Sequence, residues 1–311
     1  MPSHTELLRL RLAGGPKSGT QMAKEMGISQ PTATRALAAM GNEVMKIGQK
    51  KGSRYVLRDT GRGFSDVPVF RVDAEGKLKE LGVLTPVRPD GFVFTQADGV
   101  QVHSDGLPWW LLDMRPQGYL GRAYATRYGA ELGLPSTLKE WTDSHALRAL
   151  LVHGHDLVGN LLLGPIARDK FIAAPEPVCL TRAEKAAAYA SLAMGASQGE
   201  APGSSAGGEQ PKFTVCADTP EGARQLLVKF SLTDPNPITE RWRDLLLAEH
   251  HALETLASAG IGALTRGAVL IASTHFAGRG KCCSDATSAS DPRTTSTYAS
   301  VMPPPAEMST S

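Results

Sequence analysis

The sequence predicts an α+β multidomain chain, and three observations carry that prediction. Residues 1–58 hold short capped helices followed by a basic, glycine-bounded hairpin. Residues 64–175 alternate short apolar strands with helical stretches. Residues 176–272 place a glycine-rich stretch ahead of an apolar strand bearing one lysine and a helix bearing one glutamate. At 311 residues the chain has room for two or three domains. A composition of 41% hydrophobic and 21% charged residues suits a globular protein, and a net charge of +2 points to no partner class by itself. The four cysteines, Cys179, Cys216, Cys282 and Cys283, show no C-x-x-C spacing, so reduced thiols in a cytoplasmic protein are expected. No apolar leader and no run of about 18 apolar residues occurs, so neither secretion nor a membrane partner is expected.

In residues 1–58, Glu6 to Leu12 is leucine-rich and ends at Gly14-Gly15-Pro16. Ser18 precedes a second helix that Gly27 stops. Ser29 caps a third, from Gln30 to Met40, with Pro31 tolerated in its first turn. A short helix, a glycine turn and a capped second helix make a helix-turn-helix pattern. Val44 to Ile47 and Arg54 to Leu57 then read as two strands joined by Gly48-Gln49-Lys50-Lys51-Gly52-Ser53, the wing of a winged helix-turn-helix. As a DNA-binding domain, it would offer Gln30, Thr32, Thr34 and Arg35 to base edges, and Lys50, Lys51 and Arg54 to phosphates. The alternative is a winged helix serving only packing or dimerisation.

Residues 64–175 form the second expected domain, an α+β subdomain entered through a hinge at Thr60-Gly61-Arg62-Gly63. Val67 to Val72, Leu78 to Val83 and Gly91 to Phe94 read as strands, and Gly121 to Tyr128 and Ser144 to His153 as helices. Trp109 and Trp110, beside Pro108, are expected in the core, with a nucleobase platform as the alternative. His145, His153 and His155 lack clustered carboxylates or cysteines, so no metal site is expected there. His155 to Gly164 reads as a hairpin returning to a last strand.

In residues 176–272, Thr181 and Glu184 suggest a capping box for an alanine-rich helix. Ser204 to Lys212 follows, with two serines, an alanine and adjacent glycines. Such a stretch lets backbone N–H groups approach an anion, although flexible linkers share the composition. Phe213 to Cys216 and Leu226 to Phe230 read as strands. Thr239 to Ala259 reads as an amphipathic helix whose apolar side includes Trp242, Leu245, Leu246, Leu253, Leu256 and Ala257, with Glu249 on that face. Lys229 is a lone cation in an apolar strand and Glu249 a lone anion on an apolar face. Pairing satisfies both, and the pair would aim the lysine at nucleotide phosphates. The alternative is that each is solvated at an edge.

The stretch Ser205-Ala206-Gly207-Gly208-Glu209-Gln210-Pro211-Lys212 resembles the S-x-x-G-x-Q-x-K loop of HipA-type kinases, the serine/threonine kinase toxins of bacterial toxin–antitoxin systems. The leading winged helix, with Asp105 to Gly121, resembles the YjjJ-type branch of that family. The likeness covers about residues 3–272. It implies a protein-kinase-like fold that uses ATP and Mg²⁺ for protein serine/threonine phosphorylation. By position, Ser205, Ala206, Gly207, Gly208, Gln210 and Lys212 would contact nucleotide, with Lys229 on the phosphates and Glu249 as its helix partner. Ser205 matches a serine that family members autophosphorylate. The resemblance implies a protein substrate, for which an aminoacyl-tRNA synthetase is the family precedent, and an antitoxin partner. The fused helix-turn-helix would supply DNA binding in cis, and a DNA-binding autoregulator is the competing function.

After Ile271 the composition changes. Residues 273–311 contain no Leu and no Ile, and Ser and Thr fill 14 of 39 positions, so no helix or strand is expected there. A kinase needs a catalytic Asp, a metal-holding Asn and a second metal-binding Asp. Beyond Ile261 the carboxylates are Asp285, Asp291 and Glu307, and no Asn follows Asn236. The expectation is therefore a kinase-like N-terminal region whose C-terminal catalytic lobe and Mg²⁺ ligands are missing, leaving an inactive enzyme. A frameshift near residue 272 accounts for the abrupt change; programmed truncation, a split gene and an authentic tail are the alternatives.

Overall fold

The computed structural model describes residues 3–48, 52–73, 75–197, 209–220, 222–232, 236–261, 266–271 and 295–301. The chain forms two compact units, one from residues 1–115, 141–155 and 159–173, the other from residues 116–140, 156–158 and 174–311.

The first unit begins with α1 (His4–Leu12), α2 (Gly19–Met26) and α3 (Gln30–Ala39). Ser3 with Glu6, and Ser18 with Gln21, close reciprocal capping boxes, and Ser29 accepts from the Thr32 N–H. Gly27 ends α2 at φ 65°, a left-handed position that suits glycine. Leu8, Leu12, Met22, Leu37 and Met40 form the core of the three helices, closed by Leu57. That leucine belongs to β2 (Arg54–Leu57), which pairs antiparallel with β1 (Val44–Ile47), Val44 opposite Leu57.

Four more strands follow: β3 (Val67–Val72), β4 (Leu78–Val87), β5 (Gly91–Gln96) and β6 (Gln101–Ser104). The chain leaves this unit for α4 (Gly118–Tyr128) and returns with α5 (Asp143–His153), β7 (Leu161–Leu163) and α6 (Gly164–Ala173). The sheet order is β6-β5-β4-β3-β7, all antiparallel. Ile47 and Val56 of the β1–β2 hairpin share a buried cluster with Val87 and Val93. Asp59, 3% exposed, sits just ahead of the expected hinge. It bonds Arg62 and Arg88, each at 3.0 Å, and Arg62 lies over the Phe92 ring. The stretch after residue 58 is thus held by charge and packing.

The second unit holds α4, α7 (Lys185–Ser197), β8 (Lys212–Thr219), β9 (Gly222–Lys229), α8 (Pro237–Ser258), β10 (Arg266–Ile271) and β11 (Thr295–Val301). Its sheet runs β10-β11-β9-β8. Phe213 and Ala217 of β8 and Leu226 and Val228 of β9 point to one face. There they bury Tyr189 and Ala196 of α7 and Phe230. Because strand residues alternate faces, Lys212 and Lys229 lie together on the other. Asn236 caps α8 with Pro237 in its first turn.

Several expectations are corrected. Trp109 is 75% exposed, and Trp110 is half-buried, edge-on to Phe94 at 5.1 Å. Trp109–Met114 is a 3₁₀-helix, in which residues three apart share an edge, so Leu111 and Met114 turn inward while Trp109 and Leu112 turn out. The expected apolar side of α8 buries Leu246, whereas Leu245, Leu256 and Ala257 are exposed. After residue 273 no strand was expected, yet Thr295–Val301 is one, Tyr298 opposite both Lys229 and Ala268. Its threonines, tyrosine and valine favour extended backbone, and it satisfies the otherwise open edge of β9. Cys179 and Cys216, expected as thiols, are joined in a disulfide. Leu180 bridges parallel to Ala217 at the edge of β8, and that pairing brings the two sulfurs together. Residues 164–173 form a helix where only a returning strand was read.

Candidate functional site

The face of the second sheet opposite its aromatic core gathers two lysines and a glutamate. Lys212 opens β8 and Lys229 closes β9, and the antiparallel register sets them directly opposite each other. Like charges in that position repel, so the pair needs an anion. Glu249, three residues after the buried Leu246 of α8, supplies one: Lys229 Nζ lies 2.5 Å from its Oε1. The side chains of the pair are 22% and 40% exposed, so Glu249 is half-buried at the rim of the sheet rather than enclosed.

Lys212 is 2% exposed. Burial, aided by the Lys229 charge, pulls its ammonium down to about 8, against the opposing pull of Glu209 and Glu249. Near neutral pH this site therefore brings two cations together, with the Glu249 carboxylate close to Lys229 and the charge of Glu209 also acting on Lys212. Gln210 is half-buried, and its side-chain Nε2 is buried with no hydrogen-bond partner among the described residues. It leaves a donor available for a ligand oxygen beside Lys212.

Of the other nucleotide-contact residues expected from sequence, Ser205, Ala206, Gly207 and Gly208 lie outside the described residues. Two contacts around that stretch had no forewarning. Tyr119 of α4 donates through its hydroxyl to the Ala196 carbonyl at 2.7 Å. One turn on, Arg122 Nη1 meets Glu209 Oε2 at 2.5 Å. The partners stand 77 and 87 positions apart, and no local periodicity joins residues so distant.

The phosphate end of a nucleotide fits the cations and free donor of this site. Among the described residues no group of three or more His, Cys, Asp or Glu could hold a metal ion.

In the first unit, Gln30, Thr34 and Arg35 are exposed along α3. Thr32 is half-buried with its hydroxyl 2.9 Å from that of Ser29, and the Thr34 hydroxyl donates to the Gln30 carbonyl. Arg54 is exposed, and its charge reinforces burial in holding the His103 imidazole below its ordinary value. Lys50 and Lys51 lie outside the described residues. No helix among the described residues is long and apolar enough to cross a membrane.

Residues 64–172 match the family model of the YjjJ-like toxin middle domain. Over 254 residues the chain is 39% identical to "Toxin YjjJ" of Escherichia coli (strain K12), an alignment covering 81% of this chain and 57% of that relative. The chain thus spans little more than half the length of the curated relative it matches. No solved structure matches it significantly. Residues 64–172 are thus a YjjJ-like toxin middle domain, within a chain that is similar to that toxin over most of its length.

Proposed function

We propose that this chain carries the nucleotide-binding portion of a toxin of the toxin–antitoxin class, with a HipA-like, kinase-type N-terminal lobe. The Lys229–Glu249 pair, with Lys212 buried across the strand, carries the reading. A lysine steered by a helix glutamate, beside a second cation and the free amide donor of Gln210, suits the oxygens of a polyphosphate. The glycine-rich residues Ser205 to Gly208 would add backbone donors, and Ser205 is the candidate autophosphorylation site. Likeness to a curated toxin supports the class and, with it, an antitoxin partner and a protein substrate. The reading is of ATP binding alone; phosphoryl transfer would also need acids and an asparagine to hold Mg²⁺, and no part of this site supplies them. Calorimetric titration of the full chain with ATP tests this. Wild type should bind, and Lys229→Met and Glu249→Ala should each weaken binding by about tenfold. Equal affinity in all three, or radiolabel passing from ATP to protein, would overturn the proposal.

A second reading is favoured by the exposed polar row Gln30, Thr34 and Arg35 on α3, ahead of the β1–β2 hairpin. The first 58 residues then act as a winged helix-turn-helix that binds DNA. In mobility-shift titrations against its own promoter, affinity should fall steeply with salt, and Arg35→Ala should weaken it several-fold. Binding insensitive to salt would sink this reading.

A further inference from the structure

One face of α4 reaches both described ends between which residues 198–208 run. Tyr119 and Arg122, three positions apart and therefore neighbours on the helix surface, take one end each. The Tyr119 hydroxyl holds the Ala196 carbonyl in the last turn of α7, and the Arg122 guanidinium holds Glu209 just ahead of β8. The Tyr119 ring packs against the aromatic core formed by Tyr189, Phe213 and Phe230, so the hydroxyl has a fixed base. Gly121, between the two, lets α4 approach closely: a Cβ there would stand 2.7 Å from the Pro116 carbonyl carbon and 3.0 Å from Leu138 Cδ1.

We propose that Tyr119 and Arg122 are positioning residues for phosphate binding, fixing from α4 the two ends of the glycine-rich stretch so that Gln210 and Lys212 face the ligand. This rests on the nucleotide reading above. Neither residue touches the ligand. Arg122 also fixes the position of Glu209, whose charge acts on Lys212.

The test uses the full chain, Tyr119→Phe, Arg122→Gln, and the exchange pair Arg122→Glu with Glu209→Arg. Tyr119→Phe keeps the ring in the core and removes only the hydroxyl. Hydrogen exchange of the ligand-free chain is followed at residues 193–197 and 209–212, and titrations are run with ATP and with adenosine. Exchange at these ends should rise in both single variants and return toward wild type in the exchange pair. ATP affinity should fall roughly two- to tenfold while adenosine affinity holds, since only phosphates meet the braced ends. Unchanged exchange overturns the brace, and equal loss for ATP and adenosine reduces these residues to general stabilisers and overturns the positioning role. If wild type binds no ATP, the nucleotide reading falls and the phosphate role falls with it, while the exchange data decide the α4 contacts independently.

Discussion

At the residue scale, Lys212 is the group whose chemistry departs furthest from its sequence context. A lysine at the start of a strand ordinarily leaves its ammonium in water; here burial beneath the sheet face and the facing Lys229 hold it down at about 8. The sign follows from linkage. The unfolded chain binds this proton up to the ordinary lysine value of 10.5, whereas the folded chain gives it up near 8. Folding stability therefore rises with pH across that window, is fully present above 10.5, and is lost as pH falls through about 8. The difference is on the order of 2–3 kcal/mol. Urea denaturation at pH 7 and pH 10 should show wild type gaining on Lys212→Met, which lacks the titrating group. Equal pH dependence in both proteins would rule out this account of the lysine. Glu249 and Lys229 were legible because each is a charge among apolar neighbours, and a lone buried charge demands a partner. Tyr119, Arg122 and the disulfide between Cys179 and Cys216 were not, because their partnerships arise from tertiary placement.

At the element scale, legibility followed local rules. Helices with a side-chain cap and a glycine or proline boundary, such as α2, α3 and α8, were readable because the signals lie within one turn. The hairpin of β8 and β9 was readable from its Asp218–Gly222 turn, with Gly222 at φ 101°. Strand β4 reads to Val83 by alternation but continues to Val87, since β5 carries the ladder past Pro86 to Val87, opposite Gly91. Gly82 marks an irregularity no apolar count conveys: at φ 150° it faces β5 so closely that a Cβ would lie 2.1 Å from the Thr95 carbonyl oxygen. The β3 register shifts beside it, after Val69. The 3₁₀ turn at Trp109 misled for a related reason. A period of three residues distributes the same letters over different faces than an α-helix does. Strand β11 has almost no apolar run of its own and forms where an open strand edge supplies the hydrogen bonds.

At the scale of the whole molecule, α8 presents both a contact with the sheet and an exposed apolar stripe. The inner side of the helix meets the sheet through Leu246 and Glu249. Beside Glu249, which follows Leu245 by four positions and precedes Leu256 by seven, Ile238, Leu245 and Leu256 are 70%, 45% and 39% exposed, with exposed Ala248 and Ala252 between them. Their spacing of seven, three, four and four residues makes one continuous stripe. Scattered exposed apolar residues are ordinary on protein surfaces, but a helical stripe of them is a contact surface or a liability. A surface of this kind fits a chain that meets further protein. The 311-residue chain should then self-associate as its concentration rises. Leu245→Glu combined with Leu256→Glu should return it toward the monomer in sedimentation velocity and reduce binding of a hydrophobic dye. The substitutions should cost less than about 1 kcal/mol in denaturant unfolding, because exposed positions contribute little to the core. If the double variant associates as wild type does, the stripe is not the surface responsible, and an unfolding cost of several kcal/mol would place those leucines in a core instead.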